Sequence, residues 1–182
     1  SEFVAQLSAL VEPAGENEPA VCHLDTGVAR NHVLLDASLS QQDLHTVIGT
    51  SGFDRRGHGT KMAGIALFGG NIDGHLTSNV PIALRHRLES VRILPNQNER
   101  DHNPMAYGDI TGQAVLLPEV TADRRRVFCL PVTDKSDAPG NPGEPTLWSA
   151  TVDALAAGTD VVREGDELRL LSAPNPAAAR LI

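Results

Sequence analysis

The spacing of apolar side chains changes along the chain, and each change marks a predicted element. The first 18 residues carry apolar side chains at helical spacing and predict an amphipathic lead, which ends in a stretch rich in proline and glycine. Residues 20–24 are an apolar run closed by an Asp-Thr-Gly triplet, which is typical of a buried parallel strand that opens into a turn. We therefore separate residues 1–19, the lead and its linker, from a folded domain over residues 20–182.

Helical spacing returns in the middle of the chain. Residues 58–68 predict a helix with small side chains on one side, and Gly69 and Gly70 predict its end. Residues 84–94 alternate apolar and polar side chains, which predicts a strand with one face wetter than the other.

The second half of the chain repeats the alternation of helices and strands. It predicts a helix over 106–122 interrupted at Pro118, a solvated helix end at Arg124, Arg125 and Arg126, a strand over 127–133, a loop over 134–145, a helix over 147–158 and a strand over 168–173. Strands that alternate with helices predict an α/β fold, a three-layer sandwich around a mainly parallel sheet.

Charge and composition narrow the classes of partner. The chain carries 15 Lys and Arg against 23 Asp and Glu, a net charge of −8, which argues against nucleic acid or an anionic membrane as the main partner. Four Phe, one Trp and one Tyr offer few surfaces for stacking bases. No apolar stretch approaches the roughly 18 residues of a membrane span, and no signal-peptide pattern is visible. The location stays open, with the cytoplasm slightly favoured.

Cys22 and Cys129 lie inside apolar runs, which predicts buried thiols. A single disulfide between them stays open, because a sequence does not set the separation of the two Cα atoms. His23 lies inside the apolar run 20–24 and is expected to be a packed core residue. The histidines show no spacing with other His or Cys residues that fixes zinc, so no metal catalyst is expected.

Two positions combine the groups that a hydrolytic triad needs. Asp25 follows a buried strand, and His58 opens a predicted helix 33 positions later. A buried carboxylate that accepts the Nδ1 hydrogen of a histidine leaves Nε2 free to take a proton and stabilises the resulting imidazolium. Gly27 and Gly59 permit tight turns and close packing beside these two groups.

The residues around both positions resemble the subtilisin-like serine peptidase family. Residues 21–28 read Val-Cys-His-Leu-Asp-Thr-Gly-Val, and residues 57–64 read Gly-His-Gly-Thr-Lys-Met-Ala-Gly. The resemblance implies that Asp25 and His58 are two members of an Asp-His-Ser triad that hydrolyses peptide bonds in peptide or protein substrates. It also implies the family's α/β sandwich.

A weaker resemblance concerns residues 170–175, Leu-Leu-Ser-Ala-Pro-Asn, which are similar to the family's strand that ends in Ser-Ala-Gly-Asn. This similarity implies that the Asn175 amide stabilises the oxyanion. Pro174 stands where the family has glycine and restricts the backbone before Asn175. The alternative is that Asn175 is a turn residue between two prolines.

The nucleophile is the missing part of the implied triad. In the family it comes from a later Gly-Thr-Ser motif, and nothing after Asn175 supplies one; the Gly-Thr-Ser-Gly stretch at 49–52 is interpreted as a loop. We therefore expect residues 20–182 to be a peptidase domain that ends before its serine segment and is inactive alone. An exposed apolar sheet is expected to be covered by the missing segment or by a partner chain.

Three other interpretations remain open. The chain is either truncated or an inactive relative that serves as a binding module. An Asp-Thr-Gly triplet also occurs in aspartic peptidases, which pair two carboxylates, although this leaves His58 unexplained. By family resemblance, calcium is possible at carboxylates in loops, although no loop has the regular ligand spacing of a calcium-binding loop. The candidate carboxylates are Asp36, Asp43, Asp54 and Asp101.

Overall fold

The computed structural model describes residues 2–100, 103, 106–133, 146–165 and 167–182. The helices are α1 (Glu2–Leu10), α2 (His58–Phe68), α3 (Ile72–Ser78), α4 (Tyr107–Thr121) and α5 (Leu147–Ala156). The strands are β1 (Val11–Glu12), β2 (Ala20–Asp25), β3 (Leu44–Thr46), β4 (Ile82–Ala83), β5 (Arg87–Arg92), β6 (Arg126–Cys129), β7 (Val161–Glu164) and β8 (Glu167–Leu170). None of these helices is long and apolar enough to cross a membrane.

Four parallel strands form the central sheet, in the order β3-β5-β2-β6. Strand β2 is flanked on both sides and is apolar along most of its length, as predicted from its sequence. Its last residue, Asp25, lies opposite Arg92 of β5. The carboxyl ends of parallel strands meet at one edge of the sheet, which is the edge where α/β proteins place their ligands.

Helices cover both faces of this sheet, so the predicted α/β arrangement with a mainly parallel sheet is confirmed. One apolar cluster joins α1, α2 and α3 to the first face: Leu7, Val28, Leu34, Leu35, Leu39, Ala63, Leu67, Phe68, Leu84 and Leu88. The other cluster joins α4 and α5 to the second face: Cys22, Leu24, Ile48, Val91, Ile93, Ile110, Ala114, Val115, Phe128 and Leu155. We call these the α2 face and the α4 face.

The wetter face predicted for residues 84–94 is wrong, because all six residues of β5 are buried. Its polar side chains are buried with partners from distant parts of the chain. Glu89 accepts two hydrogen bonds from Arg126, at 2.7 and 2.9 Å, and Arg92 donates to the Ile48 carbonyl at 2.8 Å. An alternating pattern therefore marks the strand correctly but not the exposure of its polar side.

Helix α2 begins and ends as predicted, with Gly69 in a positive-φ conformation at its end. Helix α4 continues through Pro118, where a break was predicted. The Arg126 guanidinium donates to the Pro118 and Ala122 carbonyls at the end of α4, as expected for a cation at that pole. It is not solvated, because its side chain is only 8% exposed.

The last predicted strand has a different neighbour from the one that an α/β alternation suggests. Strand β8 pairs antiparallel with β7 in a separate two-stranded sheet and does not join the central one. Leu181, and not β8, lies beside β6, because the Phe128 N–H donates to the Leu181 carbonyl at 2.8 Å. The loop predicted over 134–145 lies outside the described residues. Both cysteines are free thiols.

Candidate active site

Asp25 and His58 meet at the carboxyl edge of the sheet. His58 is the first residue of α2, and its Nδ1 lies 2.7 Å from Oδ2 and 2.9 Å from Oδ1 of Asp25. The carboxylate is fully buried, while about half of the His58 side chain is exposed. Since an ionised carboxylate only accepts, Nδ1 carries the hydrogen and Nε2 keeps its lone pair for another proton.

Two threonines connect the turn after β2 to the start of α2. The Thr26 hydroxyl accepts the Gly59 N–H at 2.9 Å, and the Thr60 hydroxyl accepts the Ala29 N–H at the same distance. The Thr26 N–H also donates to Oδ1 of Asp25 at 2.7 Å. These reciprocal bonds fix the orientation of His58 toward the carboxylate.

Glycine is required at two positions of this connection, as predicted. A Cβ on Gly59 would lie 2.1 Å from the Gly27 carbonyl oxygen. Gly27 has a φ of +92°, and a Cβ there would lie 2.1 Å from the Gly52 oxygen. Helix α2 therefore approaches the turn more closely than any side chain at these positions allows.

The Asp54 carboxylate accepts hydrogen bonds from the first turn of α2 and from the residues just before it. One of its oxygens accepts the N–H groups of Arg56 and Gly57, both at 2.8 Å. The other accepts the N–H and the hydroxyl of Thr60, at 2.9 and 2.7 Å. From the sequence, Asp54 is only a candidate calcium ligand. Gly57 occupies the N-cap position of α2 and Asp54 lies before it, so the usual capping signal does not identify this role.

The two buried aspartates differ in their electrostatics. Burial raises the pKa of the Asp25 carboxyl, and the hydrogen bonds from His58 and Thr26 reverse only part of that effect. Burial acts in the same direction on Asp54, but its bonds from Thr60, Gly57 and Arg56 outweigh it and leave the pKa below its usual value. Asp54 therefore serves as a fixed structural anion, whereas Asp25 depends on His58 as its partner.

The structure does not join Asp25 and His58 to Asn175 by any hydrogen bond of the described residues. Asn175 is exposed and lies just before a short 3-10 helix, Pro176–Ala178. Its side-chain oxygen accepts the Ala177 N–H at 3.1 Å, and its backbone N–H donates to the Ala157 carbonyl. The oxyanion role stays a prediction.

The remaining candidates make local contacts. The Ser51 hydroxyl accepts the Phe53 N–H at 3.1 Å, which is a turn interaction, as the loop interpretation predicts. Asp43 binds Ser40 and Arg124, and Asp36 is exposed, whereas Asp101 lies outside the described residues. Within the described ranges, no three His, Cys, Asp or Glu side chains form a cluster suited to a metal ion.

Comparison with known proteins agrees with this arrangement. The sequence model described as the Subtilase family matches residues 16–173, which is more than half of the chain and includes both Asp25 and His58. No curated protein and no solved structure gives a significant match. A match of this extent, over residues that form a mainly parallel α/β sheet, identifies a region typical of serine-type peptidases. The chain belongs to the subtilase family.

Proposed function

We propose that this chain provides the aspartate and histidine of a serine endopeptidase whose attacking serine comes from sequence outside these 182 residues. The observation that supports this most directly is the contact of His58 Nδ1 with both oxygens of the buried Asp25. That contact leaves Nε2 with a lone pair, on a side chain that is half exposed at the ligand-binding edge of the sheet.

The reaction is acyl transfer to serine followed by hydrolysis. His58 Nε2 takes the hydroxyl proton as the serine oxygen attacks the peptide carbonyl, and it then returns that proton to the leaving amine. In the second half, His58 removes a proton from a water molecule that attacks the acyl-enzyme. Asp25 keeps the ring in the required tautomer and stabilises the imidazolium in both halves.

Asn175 is the proposed donor to the oxyanion of the tetrahedral intermediate. Its side-chain oxygen already accepts the Ala177 N–H, which leaves the amide nitrogen as the donor group. In subtilisin itself, removal of such a donor lowers turnover by about 10²–10³. Pro174 replaces the glycine of the family, so Asn175→Ala in the active protein measures whether this amide performs the same role.

The test uses the native reading frame that contains this chain together with its serine segment. Asp25→Asn is expected to leave the circular dichroism spectrum unchanged and to lower the rate of peptide hydrolysis by about 10⁴, because His58 then adopts the wrong tautomer. Asp36→Asn, at an exposed carboxylate, is the matched control and is expected to retain full activity. Near-normal hydrolysis by Asp25→Asn contradicts the proposal.

Two further measurements separate this proposal from its alternatives. A fluorophosphonate is expected to label one serine in the extended protein and none in residues 1–182 alone. Inhibition by pepstatin with an acidic optimum would instead indicate an aspartic peptidase. A biological activity that persists unchanged in His58→Ala would indicate a binding module without catalysis.

A further inference from the structure

A row of three polar side chains crosses the central sheet next to the Asp25–His58 pair. His23 of β2 lies in register with Ser90 of β5 on one side and with Cys129 of β6 on the other. Register partners on parallel strands lie about 4.8 Å apart and point to the same side of the sheet. Since Cys22 and Leu24 belong to the α4 face, the row of His23 faces α2, as Asp25 does two residues later.

His23 is buried without a partner. Only 1% of His23 is exposed, and neither ring nitrogen makes a hydrogen bond with any described residue. The Ser90 hydroxyl is buried and unpartnered in the same way. A neutral imidazole carries a hydrogen on one ring nitrogen and a lone pair on the other, so the unpartnered His23 ring offers one nitrogen as a ligand. Buried polar atoms without partners are uncommon and indicate a specific role.

Cys129 supplies the accessible end of this row. It is a free thiol, the last residue of β6, and is partly exposed, whereas Cys22 is free but fully buried on the opposite face. The register partner of Cys129, His23, lies two residues before Asp25 on β2, so Cys129 stands beside the end of β2 that carries the catalytic carboxylate. A small ion can therefore reach Cys129 from solvent, and the register places His23 on the neighbouring strand at the same level and on the same face.

We propose that His23 and Cys129 form a two-ligand site for a soft, thiophilic metal ion of the class to which Cu⁺, Ag⁺ and Hg²⁺ belong. A thiolate is a soft ligand that selects such ions, and imidazole is a borderline ligand that also binds them. The larger ligand sets that zinc or calcium needs are absent from the described residues. On binding, Cys129 loses its thiol proton to solvent and forms the sulfur–metal bond. His23 donates its nitrogen lone pair, and no electron is transferred.

The bound ion would act on the catalytic pair through its charge. A cation two residues along β2 from Asp25, on the same face, competes with the His58 imidazolium for stabilisation by that carboxylate. Inhibition of hydrolysis is therefore expected when the site is filled. This consequence rests on the proposed peptidase function, while the binding itself does not.

Binding is tested on the 182-residue chain with mercuric chloride as the probe. The thiolate–Hg²⁺ absorption band and native mass spectrometry are expected to report one ion per chain. Cys129→Ser is expected to abolish the band, and Cys22→Ser, the matched control at the buried thiol, is expected to retain it. His23→Val is expected to weaken the affinity at least about tenfold, since even outer-shell partners of metal ligands contribute 10–100-fold.

Two results overturn the site. Loss of the band in Cys22→Ser places the ion at the wrong thiol, and unchanged affinity in His23→Val shows that a thiol alone binds it. The inhibitory consequence is measured in the extended protein, where one equivalent of Hg²⁺ is expected to slow hydrolysis at least tenfold in wild type and Cys22→Ser but not in Cys129→Ser. Equal inhibition of Cys129→Ser contradicts that consequence. If the extended protein never hydrolyses peptides, the proposed function fails while the binding result still decides the site.

Discussion

Glu89 and Ser90 are neighbours on β5 and are buried on opposite faces of the central sheet, but only Glu89 has partners. On the α4 face, the Glu89 carboxylate is paired with Arg126 at 2.7 Å and with Arg124 at 3.3 Å. On the α2 face, Ser90 and His23 are buried without partners. A full charge must be paired when it is buried, whereas a neutral polar group is tolerated unpaired at a cost of about 1–3 kcal/mol. Ser90 and His23 lie on the face that carries Asp25.

The largest expected effect comes from unpairing the charges of the α4 face. Glu89→Gln removes the carboxylate from two arginines whose side chains are only 8% and 13% exposed. We expect the free energy of unfolding in urea to fall by about 3–5 kcal/mol, because a buried charge is left uncompensated. Glu164→Gln breaks an exposed pair with Arg169 and is expected to cost about 0–1 kcal/mol. Equal losses would show that Glu89 is not held as a buried ion.

The second prediction concerns the unpaired His23 ring on the α2 face and its response to acid. The pKa of His23 is about 4 in the folded chain against 6.5 when unfolded, so between these values the unfolded state binds more protons. Above pH 6.5, protonation of His23 therefore does not destabilise the folded state. Between pH 6.5 and pH 4, it lowers the free energy of unfolding by about 3 kcal/mol. His23→Val is expected to remove this part of the pH dependence and to be at least as stable as wild type at pH 7.

Urea titrations of both proteins at pH 7 and pH 4.5 make this comparison. The shifts at Asp25, whose pKa is raised, and at His45, whose pKa is lowered by burial, are common to wild type and variant. The difference between the two pH profiles therefore isolates His23. Parallel profiles would show that His23 is not buried as a neutral ring.

The positions of Asp25 and His58 in the fold follow from local sequence signals. An apolar run before Asp25, and a helix from His58 to the two glycines, place both residues at one edge of the sheet without knowledge of the rest of the chain. The role of Asp54 was not predicted, although its bonds are local and all go to residues within six positions.

The features that failed depend on distant partners. The polar side of β5 is buried because Arg126, 37 residues away in sequence from Glu89, pairs with it across the sheet. The sequence of β8 predicts a strand, but the spacing of its apolar side chains does not say which strand it pairs with. It pairs with the nearby β7 and not with β6. Choice of partner is a tertiary property, so neither result follows from spacing alone.

The smallest effects are expected from substitutions at two glycines of α2. Gly59 lies against the turn after β2, whereas Gly64 has open space beside it. Gly59→Ala places a Cβ 2.1 Å from the Gly27 oxygen, whereas a Cβ on Gly64 meets no atom within 4 Å. We expect Gly59→Ala to lower the free energy of unfolding by about 1–3 kcal/mol, because backbone must move, and to displace His58 from Asp25. Gly64→Ala is expected to raise it by about 0.5–1 kcal/mol through helix propensity. Urea unfolding measures both changes, and the low-field resonance of the His58 Nδ1 proton reports the contact. A stable Gly59→Ala that keeps this resonance would contradict the close approach of α2 to the turn after β2.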